Sequence, residues 1–182
     1  MADGADADRP DTLGMFASAL AGRSVAIASQ RPGDSPWTDG QTVFIDPALP
    51  ARAGLAAIAV QASMIAAGSL DPGIVRPLAH HSRLATRYLA VEGHRALVAN
   101  ADVLPRVLAT LADPDIAKRS NSPAESLSLA SGRAMIVDPP PEFGVIRVNK
   151  VLAASARAAR HTEQEKPGHV PRSQRHQELA DL

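Results

Sequence analysis

The chain has 182 residues, enough for one domain and short for two. Its 45% hydrophobic and 21% charged residues exclude a wholly disordered protein. Nineteen basic residues balance 19 acidic ones, so no global charge draws it to nucleic acid or an anionic membrane.

Residues 1–10 (MADGADADRP) read as a solvated tail. Thr12 can cap a helix to about Ala21, with Leu13, Phe16, Ala17 and Leu20 on one stripe. Ser24–Ala28 and Thr42–Asp46 are β-prone runs around a polar loop that holds Trp37-Thr38-Asp39-Gly40. Together they read as a small hairpin or sheet edge. Arg52–Ser69 is apolar nearly all round, with Gln61 and Ser63 as its only polar interior side chains. Such a helix is expected at the centre of the core, with Gly68 at its end.

Asp71-Pro72 starts a short helix toward Leu78, and Ser82 can cap a longer one over 83–100. Further short helices are expected over 104–111 and 113–119. Ser122-Pro123-Ala124-Glu125 is a capping box that launches 124–130. Three prolines at 139–141 force an extended link, and a last helix covers 147–160. Residues 161–182 lose all hydrophobic period and read as a disordered tail or the start of a linker. The fold class is therefore mainly α: one helical domain over 11–160, with a small β-hairpin or short sheet near its N-terminus.

The most informative segment is Tyr88–Arg95. On a wheel of ~100° per residue with Leu84 at zero, Tyr88, Val91 and Val98 lie within about 40° and Arg95 at about 20°. A guanidinium in an apolar stripe needs a partner, and Glu92, three residues away, can provide it. Two roles fit these residues: a structural pair that organises the fold, or a partner or ligand site. Trp37 and Asp39 join Tyr88, Glu92 and Arg95 as structural or partner-binding candidates.

His80, His81 and His94 are the weak candidates for metal. Adjacent residues do not share a helix face, so solvated loop histidines are the plainer reading of the pair. No metal site and no cofactor is assigned.

The absence of cysteine excludes a disulfide framework, thiolate-bound zinc and a thiol nucleophile. One Trp, one Tyr and three Phe leave little for base stacking, which again speaks against nucleic acid. No apolar run approaches the ~18 residues of a membrane span. The acidic N-terminus is no signal peptide, so a cytoplasmic and, from its Ala/Arg/Pro-rich composition, bacterial protein is expected. Phosphate-loop, dinucleotide-binding, His-Glu-x-x-His and Gly-x-Ser-x-Gly motifs are missing, as is the Asp-x-Ser-x-Ser motif of von Willebrand A domains. This points away from catalysis.

Three segments, WTDGQTVFIDP (37–47), AVQASMIAAGSLDP (59–72) and RYLAVEGHRAL (87–97), carry a family likeness. In order and character they resemble the N-terminal helical region of proteins related to the nitric-oxide-reductase activation protein NorD and the cobaltochelatase subunit CobT. Such proteins bear a C-terminal von Willebrand A, or adhesion-type, domain and work with MoxR-type AAA+ ATPases. The resemblance implies a non-catalytic scaffold that meets an adhesion-type domain, a MoxR-type ATPase or a client enzyme during protein activation or metal-centre maturation. The adhesion-type domain is not in this sequence, so only the scaffolding half of that role carries over, in a fragment or a stand-alone form.

A fainter likeness is to zinc metallopeptidase-like domains. Where their helix carries His-Glu-x-x-His, this chain has Val60-Gln61-Ala62-Ser63-Met64 and no metal ligand. A degenerate metal-dependent hydrolase is thus one alternative, and a structural oligomerisation domain is another.

Overall fold

The computed structural model describes residues 9–164. It is mainly α with a three-stranded sheet near the N-terminus. In chain order the elements are α1 (Arg9–Ala21), β1 (Ala26–Ser29), β2 (Trp37–Thr38), β3 (Thr42–Ile45), α2 (Ala51–Ala66), α3 (Pro72–Val75), α4 (Ser82–Ala99), α5 (Pro114–Ala117), α6 (Pro123–Ser131) and α7 (Val148–Gln164). Short 3-10 turns lie at 76–78, 106–111 and 141–143.

α2 is the axis of the fold. Ten consecutive residues, Ala56–Ile65, are buried, which a helix reaches only when it is covered on all sides. Its alanines let neighbours come close: α1 and α4 pack against it, as do β3 and the turn at 141–143. The chain leaves α2 through a left-handed Gly68 (φ +68°). There the amides of Gly68 and Ser69 bond the carbonyls of Ile65 (3.2 Å) and Met64 (3.0 Å), satisfying two of the last helical acceptors.

The sheet refines the expected hairpin. Thr38-Asp39-Gly40 does turn β2 into an antiparallel β3, with Trp37 opposite Phe44. The Asp39 carboxylate accepts the amides of Gln41 (2.9 Å) and Thr42 (2.8 Å), and Gly40 adopts φ +92°. The run at 24–28, however, pairs parallel to β3 on its other edge, Ala26 opposite Thr42. Residues 30–41 supply the crossover that a parallel pair needs. α1 holds β1 through Ser18, whose hydroxyl accepts from the Val25 amide (2.9 Å) and donates to its carbonyl (3.2 Å).

Several local expectations shift. Ser82 is the first residue of α4, and the capping position falls to His81, whose side chain makes no cap bond. Asp71 precedes Pro72 without a cap bond, whereas Asp113 accepts from Asp115 and Ile116 and Ser122 accepts from Glu125. The expected reciprocal half of the capping box is displaced by one residue: Glu125 takes the amide of Asn121 (2.7 Å) instead of that of Ser122. Residues 106–111 form a 3-10 run, and α7 continues to Gln164, beyond the expected end at 160. Of the expected tails at 1–10 and 161–182, residues 9–10 belong to α1 and 161–164 to α7, and the rest lie outside the described residues.

Phe143, fully buried, closes the core where the polyproline link ends. Its ring lies against Gly93 of α4, where an added Cβ would come within 2.5 Å of it. Gly93→Ala should therefore lower stability by about 1–3 kcal/mol through overpacking. Gly73, with nothing within 4 Å of an added Cβ, serves as the control. Urea unfolding of both alanine variants is the measurement, and equal midpoints would refute the packing.

Candidate functional site: a buried carboxylate network

Glu92 projects from the middle of α4 and is fully buried. Four donors reach its two oxygens. Arg95 spans both in a fork, Nε to Oε2 at 2.7 Å and Nη2 to Oε1 at 2.5 Å. The Ser69 hydroxyl donates to Oε1, and the Ser126 hydroxyl donates to Oε2 at 2.7 Å. Since Ser126 spends its single proton on Glu92, the Ser120 hydroxyl, 2.7 Å away, must be the donor to Ser126. Tyr88, one turn back on α4, donates its hydroxyl to the Ser69 carbonyl at 2.8 Å. The turn after α2 and the helices α4 and α6 thus meet on one carboxylate, and the end of the 114–120 segment joins them through Ser120.

The electrostatics follow from this geometry. The Arg95 guanidinium is held above its ordinary pKa, first by its hydrogen bonds to Glu92, although partial burial works against them. The Tyr88 hydroxyl is pushed well up, first by burial and then by the adjacent Glu92 charge, so it stays a donor. Among the described residues, no buried side-chain nitrogen or oxygen lacks a partner. With four donors on its two oxygens, the carboxylate is committed to bonds within the fold. The arrangement can orient three elements.

Trp37 stacks on Phe44 with centroids 4.0 Å apart and 5° between the rings, and its Nε1 donates to Gln30 at 2.9 Å. The Arg147 guanidinium lies 4.7 Å from the Trp37 ring centroid. Trp37 and Asp39 therefore form part of the β2–β3 turn and its cover, separate from the Glu92 network.

The histidines do not assemble. His80 and His81 are exposed before α4. His94 lies 12 residues into that helix, roughly 18 Å along its axis. It is buried, packs its ring 4.7 Å from that of Phe143, and accepts the Asp113 amide on Nδ1 at 3.0 Å. Among the described residues no group of three His, Cys, Asp or Glu side chains is placed to hold a metal. Gln61 and Ser63, where a metallopeptidase helix would carry its ligands, are used by the fold. Gln61 donates to the Phe143 carbonyl (2.7 Å), and Ser63 accepts from Asn100 (3.1 Å).

Sequence reasoning reached Tyr88, Glu92 and Arg95 through helical spacing but missed Ser69, Ser120 and Ser126. They lie 23 or more residues from Glu92, and serine carries no positional signal in one sequence. It also passed over Arg87, which bonds the carbonyls of Ala130 (2.7 Å), Gly132 (3.0 Å) and Ala134 (2.9 Å) and so straps the end of α6 to α4.

Arg95→Ala leaves Glu92 buried with hydroxyl donors alone and should cost about 3 kcal/mol. Arg87→Ala, on a half-exposed strap, should cost about 1–1.5 kcal/mol. Equal losses in urea titrations of the two variants would contradict this ranking.

His94 gives a pH test. Burial lowers its pKa from the model-peptide value of 6.5, and Asp113 opposes the shift only partly. Above that value both folded and unfolded forms are neutral. As pH falls below it, the unfolded chain binds the proton first, so stability should drop between neutrality and mild acid. His94→Asn, which keeps an acceptor for the Asp113 amide, should flatten that part of the Tm–pH curve. An unchanged slope would show that His94 is not its source.

Scans against protein-family models, curated proteins and solved structures match nothing.

Proposed function

We propose that this chain is a non-catalytic docking domain of an ATPase-linked system for protein activation or metal-centre maturation. The supporting observation is the connector between α6 and the turn at 141–143. There Met135 and Val137 stand 88% and 74% exposed on backbone that the fold itself fixes. Arg87 holds the Ala134 carbonyl and Arg119 the Met135 carbonyl at 3.2 Å, so the two apolar side chains are displayed from a tethered segment without regular structure. A tethered backbone spares part of the entropy of ordering the chain on contact, and exposed apolar side chains gain by burial, which favours association.

The polar residues point the same way. Glu92, Arg95, Tyr88 and the serines around them saturate one another, and Gln61 and His94 bond backbone groups. Their chemistry is spent on holding elements together. The NorD- and CobT-like segments support the choice of system: they lie on β2–β3, on α2 with its exit and on α4, and α2 packs against both others. A MoxR-type ATPase, an adhesion-type domain or a client enzyme is the kind of partner such a domain meets.

Capture experiments with the cognate MoxR-type ATPase and adhesion-type protein test this. Wild type should be retained, and Met135→Asp with Val137→Asp should lose retention at unchanged Tm. No capture of well-folded wild type, or equal capture of the variant, would refute the proposal.

A further inference from the structure

Two open grooves flank the ridge His80–Ser82, which lines both. The first, about 710 Å³, runs between the start of α4 and the end of α6, with Arg83, Arg87 and Arg133 in its walls. The second, about 420 Å³, lies against the start of α7, with Arg147 and Lys150. No Asp or Glu lines either groove. In a chain with equal acidic and basic totals, this is a local excess of cations on one face.

Among the described residues these cations are largely unanswered by carboxylates. Ion pairs among the described residues join Arg95 to Glu92, Lys118 to Asp115 and, at 4.0 Å, Arg147 to Asp34. Arg83, Arg133 and Lys150 are exposed and have no carboxylate partner there. Arg87 plays a different part. By holding the carbonyls of Ala130, Gly132 and Ala134 it fixes the wall that presents Arg133. His80 contributes a left-handed turn (φ +64°), which lets the chain double back as a ridge before α4.

We propose that this double groove binds an acidic polypeptide segment laid across the His80–Ser82 ridge. The inference rests on the docking role above and gives the partner's chemistry. Shape selects the class. Cations spread over two lobes on both sides of a ridge suit an extended chain with repeated carboxylates, whereas a single phosphate would need them converged. No Phe, Tyr or Trp lines either lobe, and the imidazoles of His80 and His81 stand side by side on the ridge, short of the extended stacking platform that single-stranded nucleic acid uses. Pro77, Leu84 and Ala85 give the walls apolar patches for a peptide's side-chain stems.

Fluorescence anisotropy on the full chain, with a labelled Glu/Asp-rich peptide as probe, tests the groove. Oligothymidylate, inorganic phosphate and a Gly/Ser peptide are the competitors. Saturable, salt-sensitive binding is expected, weakened about tenfold or more by Arg83→Glu with Arg133→Glu, and less by Lys150→Glu. Glu at position 83 sits in the first turn of α4, where a negative charge favours the helix, so the variant should fold. Arg52→Glu, at an exposed residue of α2 that lines neither lobe, should bind as wild type does.

No binding by wild type, equal weakening by Arg52→Glu, or tighter binding of oligothymidylate or phosphate would overturn the proposal. The capture assay separates the two inferences. Failure of the peptide with capture intact removes the groove alone, and failure of both removes the docking role as well.

Discussion

Four donors converge on the Glu92 carboxylate, and much of the domain's geometry is what brings them there. A buried carboxylate left short of donors costs several kcal/mol, comparable with the whole stability of a domain this size. The exit of α2 must therefore place Ser69 on one side, α6 must place Ser126 on the other, and Arg95 must follow Glu92 one turn later. The Schellman-type turn at Gly68 acquires meaning in this setting: it stops α2 where the Ser69 hydroxyl and carbonyl can serve Glu92 and Tyr88 together.

A second constraint works by shape. Phe143 fills the space left by the missing side chain of Gly93, its carbonyl takes the Gln61 amide, and its ring covers His94. The next residue, Gly144, has φ +73°, and an added Cβ would fall 1.9 Å from the Pro36 carbonyl oxygen. The polyproline link is thereby pinned at its end between α4 and the loop before β2. Charge satisfaction holds one flank of α4 and close packing the other, and both leave its N-terminal surface free to carry the basic grooves.

The division of polar groups has a functional consequence. Glu92, Arg95, Tyr88, Ser69 and Ser126 are turned toward one another and hydrogen-bonded within the fold. The exposed groups include the apolar side chains Met135 and Val137 on the connector and, at the start of α4, cations without carboxylates beside them. In the docking role proposed above, apolar contacts add affinity, while charge sets orientation and choice of partner.

Much of the fold was legible in the sequence, because periodicity and caps are local. Unbroken apolarity marked α2 as central, and the wheel around Leu84 put Arg95 within an apolar stripe and Glu92 within its reach. Asp113 and Ser122 announced helix starts, and Asp39-Gly40 announced the β2–β3 turn. Tertiary structure alone decided the parallel pairing of β1 with β3, since strand direction depends on where the crossover passes. It also decided that Ser69, Ser120 and Ser126 meet at Glu92, that Arg87 straps α6, and that Arg133 and Lys150 flank one ridge. Those residues are joined by three-dimensional proximity across separations that no local pattern encodes, and hydroxyls and surface cations look alike in sequence until their neighbours are in place.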